Sequence, residues 1–573
     1  TEVKTASAGA INDSTTGNKK YGVDLELTEE GAEKFKTATE EAYNNNHDTI
    51  AIYYDGSLIS VPSVNAVIEN GKAQISGNMD YEEADNIAST IRIGGLNLEL
   101  EELSSEVVGA QLGQDALKGS LIAGVIGLAI VCVFMCWVYL LPGLASSLAL
   151  ILYTELILIL LNAFDITLTL PGIAGIILGI GMAVDANVII FARVKEELTA
   201  GKSVHASLKS GFQKAMSAIV DGNITTLIAA GVLWLRGSGT VKGFAQTLAL
   251  GIVVSMFTAL VITRLIIFSF YGAGIHNEKV YGRHLKERKP VDFLGKKKIF
   301  FVISIILCLA GPVMMGVNHA RGIGAMNYSL DFVGGTSTNV TFDKEYTLEE
   351  IDSQMIPSLE EITGDKNIQV QTVKDSNQVV FKTQTLDLEK REALASYLNE
   401  NYGVEASDIA TENISSTVSS EMRRDAVIAV IIATICMLLY IWFRFKDIRF
   451  ATSAVIALVH DVLVVLGFYV IARVSVGNTF IACMLTIVGY SINGTIVIFD
   501  RIREALATKS RTEDLKDLVN RCITQTLTRT IYTNFTTFVM VVALYILGVS
   551  SIKEFAAPLM VGIICGGYTS VCI

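Results

Sequence analysis

The sequence reads GIGMAVDANVIIFARVKEEL from Gly179 to Leu198 and IVGYSINGTIVIFDRIREAL from Ile487 to Leu506. These two stretches align without a gap, and each belongs to an apolar segment long enough to cross a bilayer. Asp185 stands in the middle of the first copy, where a carboxylate at bilayer depth costs several kcal/mol. A functional site is therefore the first hypothesis for Asp185, and a buried salt bridge that only sets helix packing is the alternative.

The repeat extends beyond this pair of segments. Three further pairs align in the same order: ALILYT (149–154) with ALVHDV (457–462), GNITTL (222–227) with TNFTTF (533–538), and TVKGFA (240–245) with SIKEFA (551–556). Five helices in each half of the chain are predicted to correspond. A duplicated membrane unit with a carboxylate near the repeat interface is typical of a secondary transporter.

Composition supports a membrane protein with sizeable water-soluble parts. The mean hydropathy is +0.48, yet 18% of the residues are charged. A net charge of −12 argues against a nucleic-acid partner. All eight cysteines lie in or beside apolar segments, so we expect neither a disulfide framework nor a metal site, and no sequence motif predicts a cofactor.

Eleven apolar segments are each near the roughly 20 residues that a membrane-spanning helix needs. They are 119–141, 144–164, 168–192, 215–235, 243–270, 299–317, 424–443, 450–472, 478–499, 523–547 and 554–573. The predicted domains are a first extracytoplasmic α+β domain (1–118), a five-helix membrane half (119–270), a basic cytoplasmic linker (271–298), a single transmembrane helix (299–317), a second extracytoplasmic α+β domain (318–422) and a second five-helix half (423–573). Because the chain begins at Thr1 and stops inside an apolar run, we expect a leading span, more of the first domain and a C-terminal tail to lie outside this sequence.

The loops rich in lysine and arginine predict the orientation. Such loops are expected on the cytoplasmic side. They are 193–214, 271–298, 444–449 and 501–521. Both long polar regions are therefore predicted outside the cell, and the two halves are predicted to be parallel, related by an axis along the membrane normal.

The second polar region has the pattern β-α-β-β-α-β, which predicts a ferredoxin-like domain. The predicted elements are strand 336–342, helix 348–362 with a kink or break at Pro357, strands 367–373 and 378–384 joined as a hairpin across 375–377, helix 387–402 and a final strand. In the first region we predict helix 28–43, strands 49–54 and 57–61, and turns at Asp55-Gly56 and Asn70-Gly71. Neither region shows a nucleophile–base pair or a phosphate loop, so we do not expect an enzyme.

Several of these stretches together resemble one family. VDANVIIFARVKEEL resembles the membrane signature of SecD, and YSINGTIVIFDRIREAL resembles that of SecF. Residues 55–78 resemble the SecD extracytoplasmic domain, while SLDFVGGT (329–336) and ALVHD (457–461) resemble SecF. The chain thus resembles a fused member of the SecD/SecF family, a branch of the RND transporter superfamily.

The resemblance implies an accessory, multi-pass component of the bacterial Sec translocase in the cytoplasmic membrane. Members use the proton-motive force, or sodium in some cases, to help pull preproteins out of the translocon. The implied partners are a SecYEG-type translocon with its accessory membrane subunits, unfolded preprotein, the lipid bilayer and protons, alternatively sodium. Two other functions stay open: an RND-type exporter of small molecules or lipids, and a translocon scaffold that is not coupled to an ion gradient.

The resemblance also implies roles for individual residues of the site. Asp185 matches the essential SecD membrane aspartate, and Arg529 in QTLTRTIYTNFTT matches the SecF membrane arginine. The family has an aspartate directly after Asn493, where this chain has Gly494. An engineered change, a lineage with a reduced site and sodium coupling all explain that glycine.

The remaining candidates are polar residues predicted to lie near the ion-coupling site. They are Asn187, Asn223, Thr225, Thr226, Asn493, Thr495, Asn534, Thr536 and Thr537, with His460 and Asp461 as a possible continuation of the pathway. For each, a structural hydrogen bond within the helices is the alternative. The parallel repeat predicts that Asp185 and Asn493 face inward, with Arg529 within roughly 10 Å of both.

Overall fold

The computed structural model of the protein describes residues 3–12, 19–45, 47–54, 57–94, 103–107, 110–237, 239–282, 289–365, 368–373, 376–509 and 513–573. The chain forms two compact units, Thr1–Glu102 and Leu103–Ile573. The candidate site residues all belong to the second unit.

The first unit contains a three-stranded antiparallel sheet in the order β1-β2-β5, a separate β3-β4 hairpin and two helices. Its elements are β1 (Val3–Asn12), β2 (Lys19–Leu27), α1 (Glu29–Asn44), β3 (Ile52–Tyr54), β4 (Ser57–Ser60), β5 (Lys72–Met79) and α2 (Tyr81–Gly94). Small residues of α2, Ala84 and Ala88, pack on Val23 and Ile75 of the sheet to form the core.

Local signals account for the elements of the first unit that the sequence predicted. The side chain of Thr28 accepts a hydrogen bond from Gly31 N at 3.2 Å and caps α1. Gly71 has φ +66°, as its predicted turn requires. The predicted turn at Asp55-Gly56 lies outside the described residues. The sequence reading did not identify β1, β2, β5 or α2.

Within the described part of the chain, 11 helices are long and apolar enough to cross a membrane, which confirms the predicted number. After strand β6 (Ser104–Val107), the membrane elements of the first half are α3 (Ala110–Tyr139), α4 (Leu141–Ala163), α5 (Leu170–Thr199), α6 (Val204–Arg236), α7 (Gly239–Phe257) and α8 (Thr263–Gly272), the last two joined by a π-helical turn at Thr258–Ile262. The short α9 (Glu278–Tyr281) and α10 (Lys297–Ala320) follow.

The remaining elements begin with α11 (Leu330–Val333) and end with the second membrane half. They are β7 (Gly335–Thr341), α12 (Leu348–Gln354), α13 (Ile356–Thr363), β8 (Gln369–Thr372), β9 (Gln378–Thr383), α14 (Leu388–Tyr402), β10 (Ile409–Ile414), α15 (Ser416–Phe445), α16 (Ile448–Ile471), α17 (Asn478–Ala507), α18 (Leu515–Leu547) and α19 (Ser550–Cys572).

The two repeated segments form the central helices α5 and α17. Most residues of both are buried, whereas α3 and α10 expose apolar side chains along most of their length. A helix that is buried on all sides reads as apolar all round, as these two do. Helix α5 packs on α6, α7 and α18, and α17 packs on α18, α19 and α6. The packing of one half thus repeats that of the other.

The ends of the two central helices are held by different devices. Thr169 caps α5 by accepting from Gly172 N at 3.1 Å, and a proline occupies the first turn. At α17, the carboxylate of Asp331 accepts from the backbone N–H of Asn478 at 2.9 Å and from its side-chain amide at 3.0 Å. Burial raises the pKa of Asp331, and these hydrogen bonds oppose that rise. A residue of the soluble domain therefore anchors the N-terminus of α17, where a carboxylate interacts favourably with the helix dipole.

The second soluble domain is built on an antiparallel sheet in the order β6-β10-β7-β9-β8. The predicted first helix is divided at Met355, so Pro357 lies in the first turn of α13, where proline is tolerated. The predicted hairpin forms between β8 and β9, although Asp375 lies outside the described residues. The ferredoxin-like assignment itself remains a prediction.

Strand β6 occupies an unexpected place. It comes from the range 1–118, which the sequence assigned to the first extracytoplasmic domain, yet it pairs with β10 of the second sheet, with Val107 opposite Thr411. Strand β6 therefore belongs to the sheet of the second soluble domain, and the other domain boundaries stay predictions.

Candidate functional site

The carboxylate of Asp185 is held between three helices. Its Oδ1 accepts a hydrogen bond from Thr533 Oγ1 of α18 at 2.8 Å, and its Oδ2 accepts one from Asn493 Nδ2 of α17 at 2.5 Å. Asp185 is only 6% exposed. The prediction that Asp185 and Asn493 face inward is therefore confirmed in its geometry, and the carboxylate does not point at lipid.

Arg529 shares a cavity with Asp185 but does not form a direct ion pair with it. Both residues line a small pocket, here called the Arg529 cavity, together with Asn493, Gly494, Ser491, Thr533 and Ser570 among others. The guanidinium Nη2 of Arg529 is buried and has no hydrogen-bond partner. Arg529 therefore acts on Asp185 through its electrostatic field rather than through a hydrogen-bonded salt bridge.

Gly494 lies in the same cavity as the two charged residues. A Cβ atom at this position would lie 3.3 Å from Ser570 Cβ and 3.4 Å from Ser570 Oγ. A side chain at 494 would therefore enter the space between α17 and α19, beside the Asp185 carboxylate. The departure from the family pattern falls inside the candidate site.

A second cavity touches Asp185 from another direction. It is lined by Asp185, Asn493 and Tyr490, which also line the Arg529 cavity, and by Asn223, Thr226 and Ile219 of α6 among others. We call it the Asn223 cavity. The Asp185–Asn493 hydrogen bond thus lies between two small polar spaces.

Three of the predicted polar residues form no hydrogen bond with Asp185. The hydroxyl of Thr225 donates to Gly222 O of its own helix at 2.7 Å, and Thr536 donates to Thr533 O at 2.9 Å. Asn187 is buried, and its Oδ1 has no hydrogen-bond partner. None of the three lines either cavity beside Asp185. Their predicted role in ion coupling receives no support from these contacts.

The sequence reading missed two residues that contact the site. Thr533 stands one helical turn after Arg529 and begins the TNFTTF repeat segment, and this spacing could have identified it. Tyr490 Oη lies within hydrogen-bond distance of Asn534 Oδ1, at 3.1 Å, and of Thr537 Oγ1, at 3.2 Å. A tyrosine in an apolar helix carries no comparable signal.

His460 and Asp461 belong to a separate polar cluster. His460 Nδ1 lies 3.1 Å from Asp461 Oδ1, and Cys565 Sγ of α19 lies 3.0 Å from the same oxygen. The ligand atoms of these three buried residues lie within 4.8 Å of one another, a spacing that a metal ion can bridge. The sequence predicted no metal site here.

Comparison with protein families gives the same profile for both membrane halves. The profile described as "Protein export membrane protein SecD/SecF, C-terminal" matches residues 92–272 and again residues 394–573. The profile "SecDF, P1 head subdomain" matches residues 2–98.

Curated relatives and solved structures cover nearly the whole chain. The protein translocase subunit SecDF of Bacillus subtilis is 35% identical over 98% of this chain and 79% of its own length. The SecDF subunit of Thermus thermophilus is 36% identical over 96% of this chain and 73% of its own length. The crystal structure of Thermus SecDF, described as a translocon-associated membrane protein, superposes with a TM-score of 0.77 at 35% identity, covering 99% of this chain and 76% of that one. The structure described as SecDF in the super-membrane-facing form gives a TM-score of 0.64 at 33% identity, covering 100% of this chain and 75% of that one.

Proposed function

Since the chain belongs to the SecD/SecF family of protein-export membrane proteins and is an accessory subunit of the Sec translocase, we propose that it uses the proton-motive force through Asp185 to drive late steps of preprotein export. It is a multi-pass protein of the cytoplasmic membrane, with its soluble domains on the extracytoplasmic side. Its proposed partners are a SecYEG-type translocon with accessory membrane subunits and the unfolded preprotein.

One observation carries the proposal. Asp185 is buried at membrane depth, yet both of its hydrogen-bond donors, Asn493 and Thr533, are neutral. A carboxylate locked by a bidentate arginine would be held in its charged form. Here Arg529 forms no direct ion pair with Asp185, so the carboxyl group can be either charged or protonated.

Asn493 suits both protonation states of Asp185. Its Nδ2 donates to the charged carboxylate, while its Oδ1 is buried and has no hydrogen-bond partner. Once Asp185 Oδ2 carries a proton, rotation of the amide would present Oδ1 as an acceptor for that proton. A Cβ atom at Gly222 would overlap Asn493 Oδ1, so the glycine of α6 leaves room for the amide. Protonation would thus change the contacts joining α5, α6 and α17.

The two cavities would supply the access that such a cycle requires. Asp185 lines both the Arg529 cavity and the Asn223 cavity. A small movement of α5 against α17 would therefore turn its carboxyl group from one cavity to the other. The anchor between Asp331 and Asn478 would then transmit movement of α17 to the second soluble domain. This link would join proton transfer to work on the preprotein.

The coupling ion is tested by dissipating one gradient at a time. We expect export in inverted vesicles containing this chain and the translocon to lose its stimulation when a protonophore is added. A sodium ionophore at matched membrane potential should leave the stimulation intact. Loss of stimulation with the sodium ionophore but not with the protonophore would identify sodium as the coupling ion, the alternative that Gly494 raised. Unchanged stimulation with both ionophores would favour an uncoupled scaffold. Altered drug resistance with normal export would favour a small-molecule exporter.

Thr533→Val should lower gradient-stimulated export several-fold while preserving the fold. Valine keeps the shape of threonine but removes the hydroxyl that donates to Asp185 Oδ1, so the charged carboxylate loses one of two hydrogen bonds. Export is measured in the same vesicles at matched protein levels. Thr526→Val is the matched control, because its buried hydroxyl on the same helix donates to Cys522 O. An equal effect of both changes would point to helix packing rather than to Asp185.

A further inference from the structure

Four charged side chains join the two central helices near their C-terminal ends. Arg193 and Glu196 of α5 hold the same positions in the first copy of the repeat as Arg501 and Glu504 of α17 hold in the second. Arg193 Nη2 donates to Glu504 Oε2 at 3.1 Å, and Arg501 Nη1 lies 3.7 Å from Glu196 Oε2. Each arginine also pairs with the glutamate of its own helix, at 3.0 Å in both cases. We call these four residues the cross-helix charge cluster.

The cross-helix charge cluster lies at the cytoplasmic ends of the two helices. The other end of α17 is anchored through Asn478 to Asp331 of the second soluble domain, which is extracytoplasmic. The side chains of Arg193 and Arg501 are only 12% and 20% exposed. Solvent and salt therefore screen these ion pairs less than they screen pairs on an open surface. Two positive and two negative charges leave the cluster without net charge, and they hold the ends of α5 and α17 together.

The position of the cluster along the helices places it between the candidate site and the cytoplasm. Glu196 follows Asp185 by three helical turns, about 16 Å, on the same face of α5. Glu504 has the same relation to Asn493 on α17. Asp185 and Asn493 are hydrogen-bonded to each other across the two helices, as are Arg193 and Glu504. A proton that moves along the contact of α5 with α17 between Asp185 and the cytoplasm therefore meets the cluster.

One face of α18 connects the same two places. Thr533, Arg529 and Gln525 follow one another at intervals of one turn toward the cytoplasmic end of this helix. The hydroxyl of Thr533 donates to Asp185 Oδ1. Two turns away, Gln525 Oε1 accepts from Arg501 Nε of the cluster at 2.9 Å. Arg529 stands between these contacts, in the electrostatic field of both Asp185 and the cluster. The candidate site and the cluster thus share the three helices α5, α17 and α18.

We propose that the cross-helix charge cluster is the cytoplasmic gate of the proton pathway, closed in this structure and opened when α5 and α17 part at their cytoplasmic ends. This inference rests on the proposed function. While the pairs between the helices are formed, they keep Asp185 from exchanging protons with the cytoplasm, and the two arginines repel an approaching proton. The movement of α5 against α17 that turns the carboxyl group would break these pairs. Opening of the gate is thereby linked to the protonation cycle of Asp185.

The gate is tested by proton entry into proteoliposomes that contain the whole chain. Arg193→Gln combined with Glu504→Gln removes the 3.1 Å pair between the helices and keeps the net charge of the cluster at zero. We expect potential-driven proton entry, measured with a pH-sensitive dye inside the vesicles, to rise several-fold, because the gate no longer closes. In vesicles that also contain the translocon, gradient-stimulated export should fall, since protons then cross without doing work.

Two further variants show whether the facing charges are responsible. Asp500→Asn is the matched control, because it neutralises an acid of the same helix whose ion pair, with Arg503, stays within α17. It should not change proton entry. Arg193→Glu places like charges across the two helices and should raise proton entry, whereas Arg193→Glu combined with Glu504→Arg keeps opposite charges facing each other and should return it toward the original rate. A leak of equal size in both would contradict a gate built on these charges.

Removal of the Asp185 carboxyl group distinguishes an open gate from damaged packing. Proton entry through the gate reaches the membrane interior at Asp185, so adding Asp185→Asn to Arg193→Gln/Glu504→Gln should abolish the leak. A leak that persists in the triple variant would overturn the gate, as would unchanged proton entry in Arg193→Gln/Glu504→Gln.

The gate and the proposed function can fail separately. If Asp185→Asn abolishes stimulated export and the cluster variants cause no leak, the gate is wrong and the proposed function stands. If Asp185→Asn leaves stimulated export unchanged, the proposed function itself is wrong.

Discussion

Asp185→Asn is expected to abolish gradient-dependent export while leaving the protein inserted and folded. Asparagine keeps the size of the side chain and can still accept a hydrogen bond from Thr533, but it cannot bind and release a proton. Because a positioned acid–base group contributes on the order of a hundredfold or more, stimulation should fall to the level seen without a gradient. The measurement is export of a radiolabelled preprotein into inverted vesicles, with and without an imposed gradient.

A control variant distinguishes loss of the proton-binding group from damage to the membrane domain. Glu155→Gln serves as a matched control, because it also neutralises an acid in a membrane helix, α4, while Glu155 lines neither cavity beside Asp185. Normal insertion is checked by protease protection of the soluble domains. Normal stimulated export by Asp185→Asn would exclude Asp185 as the proton carrier.

Gly494→Asp is expected to raise gradient-stimulated export by about tenfold. One proton crossing the membrane makes available roughly 2.3 kcal/mol per 100 mV. Recovering about 1.4 kcal/mol more of that energy would speed the coupled step about tenfold. A carboxylate at 494 would share the cavity with Arg529, so Arg529 could pair with it while Asp185 takes up a proton.

Gly494→Ala tests whether the acid or the added bulk is responsible. A Cβ at 494 already approaches Ser570 at 3.3 Å, so alanine brings the same crowding without a titrating group. We expect alanine to give no gain. An equal response to both substitutions, or none to either at matched expression, would show that the chain does not use a relay through position 494.

The membrane architecture could be read from the sequence with few errors. Each span depends on the hydropathy of about 20 consecutive residues, which is a local property. The main differences are helix ends, such as α6 beginning at Val204 rather than near 215, because charged residues continue the helix beyond the apolar core. In the first unit, β1 was missed since its alternation is carried by small residues such as Ala6 and Ala8, which give a weak hydrophobic pattern. Strand β2 was missed although Tyr21, Val23 and Leu25 alternate along it.

The candidate site was predicted in part. Asp185 and Asn493 were identified because a polar residue at bilayer depth stands out against its apolar neighbours. Their hydrogen bond across α5 and α17 agrees with the alignment of the repeat. The sequence predicted Arg529 near both residues, and the three side chains line one cavity. Whether Arg529 forms a direct ion pair with Asp185 could not be predicted, since only packing sets how far apart two side chains on different helices lie.

By itself, the sequence determined that this is a duplicated membrane protein with an acid in its central helix, because hydropathy and sequence repeats are properties of consecutive residues. The tertiary structure decided which groups touch that acid. The rotation of α18 brings Thr533 to Asp185 and holds Arg529 apart, and the packing of α16 against α17 brings Asp461 to Ser491. Such contacts join residues far apart in sequence, and they depend on how helix surfaces fit together rather than on any local pattern.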